Sequence, residues 1–468
     1  MIRSGRRTRA ILWLAASSIA AMASTAAGDH PAPELPPNAV QPPGASFERH
    51  VTRPQKVLLV KDTLRATFVE VVRHPARSAL VGTGRLFERI GVLLAEAVPF
   101  GPPLPFHQNP EAGGPCTPAR ITPLFGSRLA FQALLDLIGS ARCRVDLLMF
   151  SWDDDVAGRS VADALIARAR VGVPIRVMMD HGSYVSGEGN AKVPLGCPTF
   201  LDALRAEPNV QVIETPDPGV RFDHRKLAVI DDRVAWTGGM ILTRPAQYRW
   251  HNFAFLAEGP IVPQYAAVFA ERWGQLGGPP APTCPEAAGT GLTAPNASVR
   301  MIRTDIGVRS LKEAVYGAVD SAKHHIYLEN CYFSDEILVR KLVAARRRGV
   351  DVRAVLTMRG DVKQMNKFAA IMGNHLYRAG ARIYLYPSMS HVKAMSVDGT
   401  LAYIGTANFD DLSLRNNREV ALTVHGPDLI RQIDEGLFLR DMADSEILRA
   451  PLPMPKGRLL LEASSSLF

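Results

Sequence analysis

Two stretches of the chain repeat one pattern of apolar and polar positions. The first runs FQALLDLIGSARCRVDLLMFSW, then VADALIARARVGVPIRVMMD; the second runs LKEAVYGAVDSAKHHIYLENCYF, then ILVRKLVAARRRGVDVRAVLTM. In each, apolar residues recur at helical spacing and then crowd into a short run rich in Val, Ile and Leu. A second helical period follows, carrying Ala-Arg near its end, then Gly-Val and another apolar run. Helices alternating with short strands predict an α/β layered fold. A repeat this long predicts two similar lobes, each a mixed β-sheet flanked by helices. The pattern places the lobes at 119–276 and 298–445, with a Pro/Gly-rich linker at 277–297 and a tail at 446–468.

Upstream the pattern changes. Residues 1–27 combine a basic segment, a run of about 13 apolar residues and then small residues, the layout of a secretory signal with cleavage after Ala23 or Ala27. The alternative is an uncleaved anchor, although the run is short against the roughly 20 apolar residues of a spanning helix. Residues 28–118 read as a linker and an amphipathic helical region. Within it, 78–98 alternates apolar positions with Arg85, Glu88 and Arg89, which suits a membrane surface or a helix packed on the body of the protein.

With 468 residues, 47% apolar and 21% charged, the chain is neither a disordered polymer nor a membrane bundle. Its net charge of +9 falls to +5 without Arg3, Arg6, Arg7 and Arg9, too mild a bias to choose between anionic lipid and nucleic acid. No basic stripe with interleaved aromatics follows the signal, so a nucleic-acid partner is not expected. Export would permit disulfides. Cys143 and Cys331 lie in or beside apolar runs and are expected as inert core thiols. Any bridge should come from Cys116, Cys197 and Cys284, which sit in Pro/Gly-rich loops. The spacing shows no zinc pattern, and no metal or cofactor is expected.

Each half ends in one further motif. HRKLAVIDDRVAWTGGMI starts at His224, and HVKAMSVDGTLAYIGTAN starts at His391. His224 and Lys226 are two apart on a strand, as are His391 and Lys393, so each pair projects from one face. Asp231 and Asp398 follow seven residues later at hairpin turns and read as turn-fixing residues. The returning strands bring Gly238 and Gly239, and Gly405, Thr406 and Asn408, beside the pairs. Thr406 and Asn408 are thereby expected around one anion with His391 and Lys393. Twenty-eight residues after each histidine stand Asn252 and Glu419. Two imidazoles and two ammonium groups facing each other suit a phosphodiester. One imidazole attacks phosphorus, the other protonates the leaving alcohol, and the lysines and Asn408 hold the non-bridging oxygens.

HRKLAVID…TGG, HVKAMSVDG…GTANFDDLSLRNNRE and the Gly-Pro pairs at 259–260 and 426–427 resemble the phospholipase D superfamily, in particular bacterial members similar to cardiolipin synthase. The resemblance covers residues 120 to 445. It implies one active site shared by both lobes, so a monomer suffices, and a phosphatidyl-histidine intermediate followed by hydrolysis or phosphatidyl transfer. It makes His224 the nucleophile and His391 the acid/base, with a phospholipid substrate on a membrane surface. A nuclease-type phosphodiesterase is the alternative. The first lobe departs from the family at Ile241, where Asn is usual, and at Asn252, where an acid is common. Either that lobe has decayed toward binding only, or the site is asymmetric by role. In the latter case Glu419 serves His224 across the lobes, and Asn252 faces His391.

Overall fold

The computed structural model describes residues 112–180, 199–215, 221–282, 284 and 294–454. The expected signal at 1–27, nearly all of the 28–118 region, Cys197, about half of the 277–297 linker and the end of the tail lie outside the described residues. Among the described residues, no helix is long and apolar enough to cross a membrane.

The first half contains β1 (Thr117–Phe125), α1 (Ser127–Ser140), β2 (Val145–Met149), α2 (Val156–Arg170), β3 (Ile175–Asp180), α3 (Phe200–Arg205), β4 (Val210–Thr215), β5 (Lys226–Ile230), β6 (Val234–Gly238), α4 (Arg244–Tyr248), β7 (Phe253–Glu258) and α5 (Val262–Gln275). The second contains β8 (Ala297–Thr304), α6 (Ser310–Ser321), β9 (His325–Asn330), α7 (Glu336–Arg347), β10 (Asp351–Thr357), α8 (Lys363–Arg378), β11 (Arg382–Tyr386), β12 (Lys393–Val397), β13 (Leu401–Gly405), α9 (Asp411–Arg415), β14 (Glu419–His425), α10 (Pro427–Ile433), a π-helical segment (Asp434–Leu439) and α11 (Arg440–Ala443). The strands lie in the order β1-β7-β6-β5-β2-β3-β4 in one half and β8-β14-β13-β12-β9-β10-β11 in the other. These are the same path twice, as the repeat predicts. β15 (Glu446–Ile447) pairs with β11, so the tail begins by extending the second sheet.

Antiparallel pairing of β1 with β8, from Thr117 opposite Val299 to Ala119 opposite Ala297, joins the halves into one sheet of fifteen strands. Side chains sort into three cores. α1 buries Ala130, Phe131, Leu134 and Ile138, spaced to face one side of a helix, against the outer face of the first half. α6, α7 and α8 cover the second half in the same way. The middle core is shared: Tyr265 and Phe269 of α5 and Ile430 and Ile433 of α10 pack with Val229 from one half and Val392 and Ala402 from the other. The inner faces of the two lobes are thus buried against each other.

Local chemistry fixes the ends of these elements. The acidic cluster after Trp152 holds the N-cap of α2, where Asp155 accepts the amides of Ala157 and Gly158. Asp231 and Asp398 take left-handed backbone at their turns, with φ near 55° and 54°. Their carboxylates accept the amides of residues 142–144 and 323–325, which pins the loops that enter β2 and β9. Both aspartates stand at the far ends of their strands from the histidines.

The cysteine expectation is corrected. Cys143 is bonded to Cys284, with Cα atoms 5.7 Å apart, while Cys116 and Cys331 are free. β2 begins only at Val145, so Cys143 lies in the loop ahead of the strand, and the linker doubles back onto that loop. Arg144 secures the same return by donating to the Pro282 carbonyl. We expect Cys284→Ser, or reduction of the wild type, to lower unfolding stability by about 2–4 kcal/mol. Thermal unfolding with and without reductant measures it, and only the wild type should respond to reductant.

Candidate active site

His224 and Lys226 enter β5, and His391 and Lys393 enter β12. Strand alternation turns each pair to one face. The backbones of these entries interlock across the lobes. His224 N–H donates to the Arg418 carbonyl at 3.0 Å and Arg418 N–H to the Phe222 carbonyl at 2.9 Å. The mirror contacts are His391 N–H to the His251 carbonyl at 2.7 Å and His251 N–H to the Met389 carbonyl at 2.8 Å. Each histidine is therefore set by a segment of the opposite lobe.

All four basic side chains are buried. Lys226 Nζ donates to the His224 carbonyl at 2.5 Å and lies 4.7 Å from the centre of the Phe150 ring. Lys393 Nζ donates to the His391 carbonyl and to Cys331 Sγ, both at 2.9 Å. Phe150 follows β2 as Cys331 follows β9, so the two lysines meet different neighbours at one repeated position. Phe150 packs edge-on to His224 at 4.4 Å, and the Trp250 ring stands 5.2 Å from His391. The sequence motifs flagged none of Phe150, Cys331 or Trp250 as part of the site. The pairing of β2 and β9 with the lysine-bearing strands, Met149 opposite Lys226 and Asn330 opposite Lys393, is what makes Phe150 and Cys331 equivalent.

The two histidines differ in what orients them. Glu419, at the start of β14, reaches across the lobes so that its Oε1 meets His224 Nδ1 at 2.7 Å. Thr406 donates its hydroxyl to the other carboxylate oxygen at 2.6 Å. Thr406 is therefore turned to Glu419 and not to the anion position the sequence suggested, because the buried carboxylate is the stronger acceptor. Asn408 accepts from Cys331 Sγ through Oδ1, which leaves its amide N–H groups to donate. At the mirror positions the first lobe offers Gly239, Ile241 and Asn252. Asn252 donates to Ser127 Oγ at 3.0 Å and to the Ala246 carbonyl at 3.1 Å. Its Oδ1 and His391 Nδ1 are both buried without a hydrogen-bond partner among the described residues. No bond between Asn252 and His391 is formed.

Burial dominates the electrostatics. Desolvation, reinforced by Lys226 and Lys393, pushes the His224 imidazole well below its ordinary range. Desolvation and the same two lysines, Lys393 foremost, do so for His391. Burial also drives Lys226 well down, against the pull of Glu419. It raises Glu419 to about 7, while Lys226 and the Thr406 hydroxyl act in the opposite sense. Four buried basic groups gathered around the Glu419 carboxyl make a site that an entering anion would stabilise.

At Gly239 the lobes approach too closely for a side chain. A Cβ there would stand 2.4 Å from the His391 carbonyl oxygen. Gly405, at the corresponding end of β13, is closed in by Ala421 of β14, where a Cβ would meet the Ala421 Cβ at 2.2 Å. We expect Gly239→Ala to lower stability by about 1–3 kcal/mol, read from denaturant unfolding, because His391 is itself anchored and cannot withdraw.

A family model described as cardiolipin synthase, PLD-like domain, matches residues 134–273 and 316–440. Cardiolipin synthase A of Klebsiella pneumoniae is 28% identical over 346 residues, which span 69% of this chain and 70% of that protein. Cardiolipin synthase A of Escherichia coli K12 is 27% identical over the same extents. Among solved structures, phosphatidylserine synthase of Haemophilus influenzae superposes with a TM-score of 0.58 at 15% identity, covering 74% of this chain and 92% of that one. At that identity the likeness is one of fold.

Proposed function

The chain belongs to the cardiolipin synthase PLD-like family, and from that premise we propose that it is an exported phosphatidyltransferase that cleaves a phospholipid phosphodiester through His224. The observation that carries this reading is the carboxylate of Glu419 on His224 Nδ1. With the ring proton held at Nδ1, the Nε2 lone pair is free to attack phosphorus. A P–N bond forms as the P–O bond to the leaving alcohol breaks, and His391 delivers the proton to that oxygen. His391 then takes a proton from an incoming alcohol or water, whose oxygen displaces His224 from phosphorus. Lys226, Lys393 and the free amide of Asn408 hold the non-bridging oxygens. Bound phosphate supplies the negative charge that lets His391, otherwise neutral in this dry site, carry the proton it must donate.

Export is supported by the N-terminal basic, apolar and small-residue segments and by the Cys143–Cys284 bond, a linkage typical of oxidising compartments. Action at a membrane surface follows from the substrate class. A second reading, a lipid-binding protein whose first lobe has lost turnover, draws on Ile241 and on the unpartnered Asn252 Oδ1.

The two readings part on product. Protein incubated with labelled phosphatidylglycerol vesicles and a primary alcohol should yield cardiolipin or the phosphatidyl-alcohol. His224→Ala and His391→Ala should each abolish it. A rapid detergent quench of the turning-over wild type at neutral pH should trap acid-labile label on the protein, and both variants should lack it, because His391 is also the acid that frees the leaving alcohol. Binding without turnover by the wild type would establish the second reading.

The pH profile tests the orienting role of Glu419. Above about 7 the carboxylate accepts the His224 Nδ1 proton. Below it, the carboxylic acid donates to Nδ1 and forces the ring proton onto Nε2, which blocks attack. We expect kcat/KM to rise with pH through an apparent pKa near 7. Glu419→Gln should lose that limb and fall by roughly 10³–10⁴, the scale of an Asp-to-Asn change in a serine-protease triad.

A further inference from the structure

We propose that a divalent transition-metal ion, Zn²⁺ or Mn²⁺, binds between His251, Glu329 and Asp441 and staples the two lobes beneath His391. One donor atom from each of these residues lies within 4.8 Å of the other two. His251 comes from the first lobe, Glu329 from β9 and Asp441 from α11. Glu329 is fully buried and Asp441 nearly so. His251 Nε2 meets Asp441 Oδ2 at 2.7 Å. Ser390 Oγ binds Glu329 Oε1, while the buried Glu329 Oε2 has no hydrogen-bond partner among the described residues.

The internal repeat shows what is missing. At the equivalent place beside His224, Asp223 is held by Arg225 at 2.6 Å and Arg272 at 3.5 Å, and Arg418 binds Asp305 at 3.2 Å. Three arginines there balance the buried acids. Aligned on the histidines, Asp223 becomes Ser390 and Arg225 becomes Val392. Aligned on the backbone bridges that hold the histidines, Arg418 becomes His251. Leu148, opposite Leu227 in β5, becomes Glu329, opposite Ala394 in β12. Val392 and His251 therefore stand around His391 where Arg225 and Arg418 stand around His224, and a carboxylate is added.

Two buried carboxylates in contact are stable only with a proton or a cation between them. A deprotonated imidazole with two carboxylates is a donor set for Zn²⁺ or Mn²⁺, whereas Mg²⁺ and Ca²⁺ favour all-oxygen surroundings. Binding would replace the proton between His251 and Asp441 with the metal. The His251 carbonyl holds the His391 amide, so the ion would fix the acid/base histidine through one backbone link. His251 also stacks on Tyr386, with centroids 5.0 Å apart, which sets the plane of its ring.

The test uses the full chain stripped with a chelator and dialysed against buffer containing free Mn²⁺ or Zn²⁺. Metal content and melting temperature are then measured for the wild type, Glu329→Gln, Asp441→Asn and His224→Ala, with circular dichroism as the check on folding. We expect one equivalent of metal per chain and a melting temperature raised by several degrees in the wild type and in His224→Ala. Glu329→Gln and Asp441→Asn should lose both effects. If the wild type retains no more metal than Glu329→Gln, or its melting temperature does not respond, the proposal is overturned and the carboxyls share a proton. In that event Glu329→Gln should melt at or above the wild type. No arm depends on turnover, so the result stands apart from the assignment of phosphatidyl transfer.

Discussion

A carboxylate buried beside a histidine of the opposite lobe is the constraint on which the structure turns. Moving Glu419 out of water costs several kcal/mol unless hydrogen bonds and opposite charge compensate. Its compensation comes from both halves of the chain: Thr406 from its own lobe, His224 and Lys226 from the other. The β1–β8 seam and the middle core built from both sheets bring the entries to β5 and β14 within reach of each other. Catalytic geometry and lobe packing are accordingly one problem, solved once.

The frame is duplicated, but its chemistry is not. Gly239 stands where the second lobe has Thr406, Ile241 where it has Asn408, and Asn252 where it has Glu419. All three differences fall in the groups that orient a ring or hold an oxygen, while both His-Lys pairs are intact. The asymmetry leaves one histidine tightly oriented and the other with an Nδ1 that has no hydrogen-bond partner among the described residues. On the proposed mechanism that is a division of labour between a nucleophile, which needs a fixed tautomer, and an acid/base, which must exchange its proton during the cycle. A dimer of either half would reproduce the sheet but could not reproduce this site.

Much of this was legible in the sequence because it is periodic. Repeated helical and strand periods gave the two lobes, and the repeated His-x-Lys spacing gave the basic groups. The offset of 28 residues exposed the contrast between Glu419 and Asn252 before any coordinates. What escaped depends on contacts between distant segments. β1 carries Pro118 and Pro123, which argue against a central strand, yet it forms the seam with β8. Cys143 read as a core residue because it stands beside an apolar run, and only the start of β2 at Val145 leaves it in a reachable loop. Thr406 was assigned to an anion because its spacing matched, and spacing says nothing about which acceptor a hydroxyl will choose. His251, Glu329 and Asp441 share no local pattern and meet only through the crossing of the lobes.

The bond between Cys143 and Cys284 also sets a length. With Cys284 fastened to the first lobe, the covalent path to β8 is the dozen residues from 285 to 296. Fully extended, such a segment spans roughly 40–45 Å. If the lobes ever separate, the second is confined within that radius of its docking face. A leash of this length keeps the effective concentration of one lobe around the other on the order of millimolar. Reassembly of the shared site is then a first-order event, independent of how dilute the protein becomes.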